Sequence, residues 1–224
     1  MTSVPSTEPA WADRAAARSP RVQRSRDRSV RQARQIIDAA IELGNEKGTA
    51  FTIQELAKRA HVALQTFYRH FSGKDELLLA VIEQTISESM VLFVASADHL
   101  TDPLDRLHHY VTMAIESALT DPALVAQRRF LTAEHYRIHQ IFPDELETAS
   151  RAFTNLLIPE IRAATEAGQL APNDIEADAW YVTELVMAMY HHYSYATARE
   201  SPIELAQGLW QFCLAALGGG RQGD

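Results

Sequence analysis

The sequence predicts an all-α protein of about nine helices, with a small N-terminal helix-turn-helix domain followed by a larger helical domain. Apolar residues recur at three- and four-residue steps along most of the 224 residues, the spacing of helices with one apolar face. No alternating apolar and polar run of useful length indicates a strand. Three segments open with a capping residue followed by proline, at Asp102-Pro103, Asp121-Pro122 and Ser201-Pro202, as helix starts do.

The N-terminal segment is rich in arginine and lacks hydrophobic periodicity. Eight arginines stand between positions 14 and 34 against Asp27 alone, and we expect residues 1–27 to form a disordered arm. Such an arm is either a solvated tail or a segment that seeks phosphates. Under the second interpretation, Arg26 and Arg28 are candidate DNA contacts.

The charged residues are distributed unevenly along the chain, whose net charge is −8. Residues 1–77 carry 13 Lys and Arg against 9 Asp and Glu, a net of +4, whereas residues 78–224 carry 8 against 20, a net of −12. The two parts therefore face different partners. The single Cys213 can form neither an internal disulfide nor a cysteine-rich metal site.

Residues 28–74 have the pattern of a helix-turn-helix domain. A first amphipathic helix stops around Glu46 to Gly48, with Gly48 as its C-terminal cap. Thr52 and Glu55 form a capping box that starts a second helix, which ends at about Ala60. A third helix, residues 64–71, follows at once. Two short helices joined by a tight turn, after a longer helix, match the helix-turn-helix layout.

The third helix can act as a recognition helix, because its polar and apolar residues lie on different faces. Such a helix inserts its N-terminal end into the major groove. We predict that Leu64, Gln65 and Thr66 contact bases and that Arg69 contacts a guanine or a phosphate. The remaining candidates for DNA contact are Thr52 and the phosphate-binding side chains Tyr68, His70 and Lys74. Phe67 and Phe71 face the core.

The stretch TIQELAKRAHVALQTFYRHFSGKDEL, residues 52–77, resembles the DNA-binding signature of the TetR family of bacterial transcriptional regulators. The matching positions are Thr52, Leu56, Ala57, Ala60, Val62, Thr66, Phe67, Tyr68, His70, Phe71, Lys74 and Leu77. Two positions depart from it. His61 stands where the family usually has a turn glycine, and Ala63 where it often has a capping serine. We expect the turn to survive with some strain, since histidine tolerates a positive φ better than most residues.

The resemblance implies that residues 75–224 form a ligand-binding and dimerisation domain. We predict long helices at about 75–97, 103–119, 122–141, 143–167, 174–199 and 202–217. The candidate ligand-binding residues are His109, Met113, His135, Tyr136, Tyr190 and Tyr193. The last two helices are expected to form the interface of a homodimer, through Trp180, Leu185, Met189, Leu209, Trp210 and Leu214.

The resemblance also implies a function. We expect a cytoplasmic bacterial repressor that binds palindromic double-stranded DNA as a homodimer and is released by a small, largely apolar effector. We expect no cofactor and no metal, because the spaced histidines have no cysteine or carboxylate to complete a site. No apolar run suggests a membrane helix. Two alternatives remain: an effector-independent architectural DNA-binding module on the same fold, and a helical enzyme, for which no nucleophile or phosphate-loop motif is present.

Overall fold

The computed structural model of the protein describes residues 20–120, 124–196 and 201–220. Within these ranges the chain forms nine α-helices and no β-strand, which confirms the all-α prediction. The helices are α1 (Pro20–Lys47), α2 (Ile53–Arg59), α3 (Leu64–His70), α4 (Lys74–Ser96), α5 (Pro103–Thr120), α6 (Val125–Ile141), α7 (Pro143–Glu166), α8 (Ile175–Tyr193) and α9 (Pro202–Ala216). A short 3₁₀ turn, Gly48–Ala50, separates α1 from α2.

The start of α1 corrects the predicted extent of the arm. We expected disorder through residue 27, but the helix begins at Pro20, so residues 20–27 are helical. These residues are exposed and bury no apolar face. Once the buried part of α1 has nucleated the helix, adding good helix formers such as arginine and glutamine at its end costs little. Proline suits the first helical position, where its missing N–H is not needed. Residues 1–19 of the arm lie outside the described residues.

The turns of the helix-turn-helix domain adopt the conformations that the sequence predicts. Gly48 has a φ of +59° after α1, and Thr52 and Glu55 form the capping box in both directions. His61 has a φ of +52°, so a histidine does hold the turn that glycine usually holds. Ala63 is the N-cap residue of α3 and makes no side-chain capping bond.

The N-terminal core is built from α1 to α4 and is completed by residues from farther along the chain. Ile36, Leu56, Phe67 and Leu77 are fully buried in it. Phe130 and Ile138 of α6 and Leu146 of α7 belong to the same cluster. The helix-turn-helix domain therefore shares its core with the second domain, although the division at residue 74 itself stays a prediction.

Helix α4 corrects the expectation about apolar runs. By length and composition it could cross a membrane, since its most apolar window has a mean hydropathy of 1.7. The interrupting Glu83 and Glu88 hide this stretch from a search for uninterrupted apolar residues. Leu77, Leu78 and Val81 are nevertheless buried in the N-terminal core. The buried helix of a soluble domain has the same composition, so one such helix is weak evidence for a membrane.

The C-terminal domain packs α5 and α7 to α9, together with the second half of α4, around another core. Leu107, Val111 and Ile115 of α5 are fully buried there, and Arg106 and Glu160 join α5 to α7 through an ion pair of 2.7 Å. The predicted helix ends agree closely with the structure, with one exception. Helix α8 ends at Tyr193 rather than near residue 199, and residues 197–200 lie outside the described ranges.

Candidate DNA-binding surface and internal cavity

The outer face of α3 carries the side chains predicted to read bases. Leu64 and Gln65 are exposed, Thr66 is half-buried, and Tyr68 and Arg69 are exposed. Phe67 and Phe71 are buried on the opposite face, as predicted from the sequence. The edge of the Phe67 ring contacts Tyr68 with a centroid distance of 5.2 Å, which positions the tyrosine. The face thus offers an amide, a hydroxyl, a phenol and a guanidinium, groups that hydrogen-bond to base edges and phosphates.

Arginines extend this surface onto α1. The guanidinium of Arg69 donates to Gln32 Oε1 at 2.7 Å, so the end of α3 contacts α1. Arg21, Arg24, Arg28 and Arg31 recur at steps of three and four residues and are exposed, and Arg26 is exposed nearby. Arg26 and Arg28, the two predicted contacts of the arm, therefore lie on an ordered helix.

Two of the predicted DNA contacts, Thr52 and Lys74, also serve the structure. Thr52 caps α2 by accepting from the Glu55 N–H at 3.2 Å. The Lys74 ammonium donates to the carbonyl oxygens of Thr49 and of Phe51, the latter at 2.7 Å, and lies 4.1 Å from the centre of the Phe51 ring. The Lys74 side chain thus points into the turn after α1, and its contact with a phosphate stays a prediction. Burial lowers the pKa of this ammonium.

His70 is also turned partly inward. Its Nε2 is buried, and no hydrogen-bond partner for it exists within the described residues. Burial lowers the pKa of the imidazole, and the neighbouring Arg69 lowers it further. The predicted contact of His70 with a phosphate stays a prediction.

Ion pairs hold α2 against α1 and so orient the helix-turn-helix. Arg59 binds Glu46 with two parallel hydrogen bonds, each of 2.9 Å, and also reaches Glu42 at 3.1 Å. Lys47 pairs with Glu55 at 2.7 Å. The hydrogen bond from Lys47, followed by those from Thr52, lowers the pKa of Glu55 to about 2. The angle between the two helices thus depends on exposed charges as well as on the core.

The C-terminal domain contains a partly open cavity of about 140 Å³. It lies between α4, α6, α7 and α8, with Ala114 contributed by α5. Most of the lining is apolar, including Ile86, Phe93, Phe153 and Val186. Among the described residues that line it, none is Lys, Arg, Asp or Glu. Small-molecule sites are usually concave, mostly apolar and supplied with few polar groups, and this cavity has those properties.

The structure brings two of the six predicted ligand residues to the cavity. His135 and Tyr190 line it, whereas His109, Met113, Tyr136 and Tyr193 do not. His109 Nε2 lies 2.8 Å from Ser96 Oγ, and Ser96 also reaches Met113 Sδ at 3.1 Å. Tyr136 is exposed and Tyr193 packs beside the C-terminal core. These four lie outside the cavity because the face of the helix, and not the residue type on which the prediction rested, decides which side chains reach it; their contact with a ligand stays a prediction.

Sequence reasoning missed most of the lining, notably Thr132 and His191. The step of three residues between Thr132 and His135 places both on one face of α6, a signal available in the sequence. His191 follows Tyr190 directly, and a helical step of about 100° leaves adjacent residues on different faces. Tyr190 and His191 both line the cavity because the cavity lies between the directions in which their side chains point.

Helix α6 connects the cavity with the DNA-binding domain. Thr132 and His135 line the cavity, while Phe130 and Ile138 of the same helix are buried in the N-terminal core. Phe130 packs directly on Gly44 of α1, where an added Cβ would lie 2.3 Å from the ring. Arg137 pairs with Asp75 in the first turn of α4 at 2.7 Å and with Glu134 at 2.6 Å. A displacement of α6 would therefore act on both α1 and α4.

The surface of α8 and α9 corrects two of the predicted interface residues. Leu209 and Trp210 are buried within the chain, where the Trp210 ring contacts His108 of α5 at a tilt of 43°. Trp180 is half-buried with the Arg151 guanidinium 5.5 Å from its ring, and Leu185, Met189 and Leu214 are half-buried beside the core. The large apolar side chains exposed here include Ile203, at 61%, and Tyr181 and Phe212, at 66% and 65%. Tyr181 and Phe212 line a shared groove with Leu185 and Ala216.

Comparison with known proteins identifies the N-terminal domain. Residues 36–81 match the family profile described as bacterial regulatory proteins, tetR family. The chain is 28% identical over 141 residues to the HTH-type transcriptional regulator HbdR of Aromatoleum sp. strain CIB. This match covers 62% of the present chain and 59% of HbdR. It is 26% identical over 193 residues to the nucleoid occlusion factor SlmA of Mannheimia succiniciproducens, covering 83% and 87%. The first match thus spans less than two thirds of HbdR.

Solved structures extend the likeness to the whole fold. A tetR-family regulatory protein from Rhodococcus RHA1 shares 26% sequence identity at a TM-score of 0.57, over 84% of this chain and 98% of that one. The regulator FadR from Bacillus subtilis, solved in complex with stearoyl-CoA, has a TM-score of 0.65 at 15% identity, over 81% and 97%. At that identity the second likeness concerns the fold alone. The chain thus resembles the TetR family of bacterial transcriptional regulators, through the family profile over residues 36–81 and through the fold over most of its length.

Proposed function

We propose that the protein is a homodimeric repressor in the bacterial cytoplasm that binds a palindromic operator and is released when a small effector enters the cavity. The observation that carries the proposal is the position of α6. One helix lines the cavity through Thr132 and His135 and completes the core of the DNA-binding domain through Phe130 and Ile138. A ligand in the cavity therefore acts on a helix that also positions the recognition helix.

The contacts of α6 favour a two-state response over a local one. The helix is anchored to the end of α8 through Thr132 and Ser194, whose hydroxyl oxygens are 3.0 Å apart, and through Arg129, which donates to the Ser194 carbonyl at 3.0 Å. At its other face it contacts α1 at Gly44 and α4 at Asp75. A closely packed helix shifts as a unit. A nearly complete switch needs an effector that binds the released state about 10⁴-fold more tightly.

Dimerisation would place two recognition helices on one operator. The exposed Tyr181 and Phe212, with Leu185 and Ala216 in the groove between them, supply an apolar face on the last two helices. A two-fold axis through such a face brings identical surfaces together. Dimeric helix-turn-helix proteins read half-sites about 34–36 Å apart, which is why we expect a palindrome.

A second candidate function has support from one relative. SlmA is named a nucleoid occlusion factor, and its match covers more of this chain than the HbdR match does. A protein that binds DNA on the same fold without an effector remains the alternative. The regulator HbdR and the acyl-CoA complex of FadR favour the effector-responsive repressor, as does the presence of an internal cavity. Neither function requires catalysis, and we propose that the protein is not an enzyme.

Selection of bound sequences from random DNA tests the proposal. We expect a palindromic site with two half-sites and a stoichiometry of two chains per site. Binding without sequence preference would contradict the repressor and favour the architectural module. The selected site then serves to screen metabolites for release, and an effector must weaken DNA binding by the same factor by which DNA weakens effector binding.

A further inference from the structure

The polar groups that line the cavity differ in whether they already make hydrogen bonds within the protein. The hydroxyls of Thr85, Ser89 and Thr132 line it but already make hydrogen bonds within the protein, to the Val81 and Thr85 carbonyls at 2.9 Å and to Ser194 at 3.0 Å. The imidazole of His135 differs from them. Both of its ring nitrogens are buried, and neither has a hydrogen-bond partner within the part of the chain that the structure describes. Buried polar atoms are rarely left unpaired.

A second imidazole stands beside it. The ring of His191 on α8 also lines the cavity and lies 4.8 Å from His135, measured between ring centres, at an angle of 56°. Burial lowers the pKa of His135 to about 4, with His191 and His139 adding to the effect. Burial also lowers the pKa of His191. Both rings are therefore neutral near pH 7, and each offers one N–H donor and one bare nitrogen that accepts.

The size and charge of the cavity restrict what can fill it. A volume of about 140 Å³ is close to the roughly 150 Å³ of an apolar protein cavity known to hold benzene. A carboxylate would lose its hydration without meeting a cation among the described lining residues, and the transfer of an unpaired charge is far more costly than that of a hydroxyl. The lining thus favours a neutral compound with the bulk of one ring.

We propose that the cavity binds a neutral single-ring compound carrying a hydroxyl group, and that His135 and His191 recognise that hydroxyl. One imidazole donates a hydrogen bond from its N–H to the hydroxyl oxygen. The unprotonated nitrogen of the other imidazole accepts a hydrogen bond from the hydroxyl. The ring of the ligand packs among Ile86, Phe93, Phe153 and Val186. This inference rests on the proposed function only in taking the cavity for the effector site.

Titration calorimetry of the full chain with phenol, toluene and benzoate tests the inference. Phenol and toluene have nearly the same shape and differ in the hydroxyl, while benzoate adds a charge. We expect phenol to bind about tenfold more tightly than toluene, the effect of one hydrogen bond, and benzoate to bind more weakly than both. Equal affinities for phenol and toluene, tightest binding of benzoate, or no binding of phenol would each overturn the inference.

Substitutions locate the hydroxyl. His135→Phe and His191→Phe should remove the preference for phenol over toluene, whereas His139→Phe, an exposed position on the same helix outside the lining, should preserve it. If a cavity variant fails to fold, the imidazole ¹⁵N resonances of the unaltered protein give the answer. Phenol should shift the signals of His135 and His191 and toluene should not. A shift confined to other histidines would overturn the assignment.

A separate measurement keeps the two proposals apart. Operator binding is measured with and without saturating phenol. Phenol that binds in the cavity with the expected preference but leaves operator affinity unchanged supports the ligand class and contradicts release by an effector at this site. Operator release by a compound that does not bind the cavity supports effector release and overturns the inference about these histidines.

Discussion

Single residues explain both the success and the failure of prediction from this sequence. Gly48, His61 and the Thr52–Glu55 capping box behave as expected because each depends on a local pattern within a few residues. Lys74 does not, because its ammonium bonds carbonyl groups more than twenty positions earlier, and no local pattern reveals such a partner. His135 reaches the cavity and His109 does not, because the packing of distant helices, and no local pattern, decides which side chains line it.

The uncapped start of α3 is a site where stability can be gained. Ala63 already has the extended conformation of an N-cap residue, with φ −69° and ψ 148°. We expect Ala63→Thr to add a capping hydrogen bond and to stabilise the protein by about 1 kcal/mol relative to Ala63→Val, which has nearly the same shape without the oxygen. Chemical denaturation of the two variants measures the difference. Equal stabilities would mean that the first turn of α3 does not limit the fold.

Glu55 gives the domain a predictable response to acid. Its folded pKa is about 2, below the ordinary value of 4.5, so the stability it contributes is present above pH 4.5 and is lost as the pH falls toward 2. We expect the Tm of the unaltered protein to exceed that of Glu55→Gln at pH 7, and the gap to shrink between pH 4.5 and 2.

The partner of Glu55 supplies the control for this prediction. In Lys47→Met the largest cause of the lowered pKa is removed, so the acid-dependent loss should be smaller and should be complete at a higher pH. A Tm gap between the unaltered protein and Glu55→Gln that stays constant down to pH 2 would contradict the assignment.

At the scale of elements, the contact between α1 and α6 is a close link between the two domains. The ring of Phe130 occupies the space that a side chain at position 44 would need, with Cε1 only 2.3 Å from an added Cβ. The helix boundaries on either side were predictable from periodicity and caps. The contact itself was not, because Gly44 and Phe130 are 86 positions apart in the sequence and neither belongs to a motif.

Enlarging position 44 should therefore separate the two helices. We expect Gly44→Ala to destabilise the protein by about 1–3 kcal/mol through overpacking, and Phe130→Leu in the same chain to recover part of that loss by making room. A double-mutant cycle from denaturation curves measures the coupling. Strictly additive effects would show that the ring moves aside freely and that the contact transmits nothing.

For the whole molecule, the exposed apolar face of α8 and α9 determines the expected assembly. The sequence predicts an interface on these two helices, but two of the residues selected for it, Leu209 and Trp210, face inward. Periodicity shows that a helix has an apolar face but not whether that face packs on its own chain or on another. On α9 the inward face carries Leu205, Leu209 and Cys213, and Phe212 points away from it.

A charge on the outward face tests the dimer. We expect Phe212→Arg to give a monomer at micromolar concentration in sedimentation experiments and to weaken operator binding by more than about tenfold, since one recognition helix then binds alone. Val91→Arg, at an exposed apolar position on α4, is the matched control and should leave both properties unchanged. A dimer that persists in Phe212→Arg would place the interface elsewhere.

The shared N-terminal core has a practical consequence for domain exchange. A chimaera that joins residues 1–96 of this chain to the effector domain of a relative would remove Phe130, Ile138 and Leu146 from the cluster that they complete. The helix-turn-helix domain would then pack against side chains of the relative, and its core would lose the contacts that these three residues make. A functional graft must carry the corresponding faces of α6 and α7 along with the recognition helix.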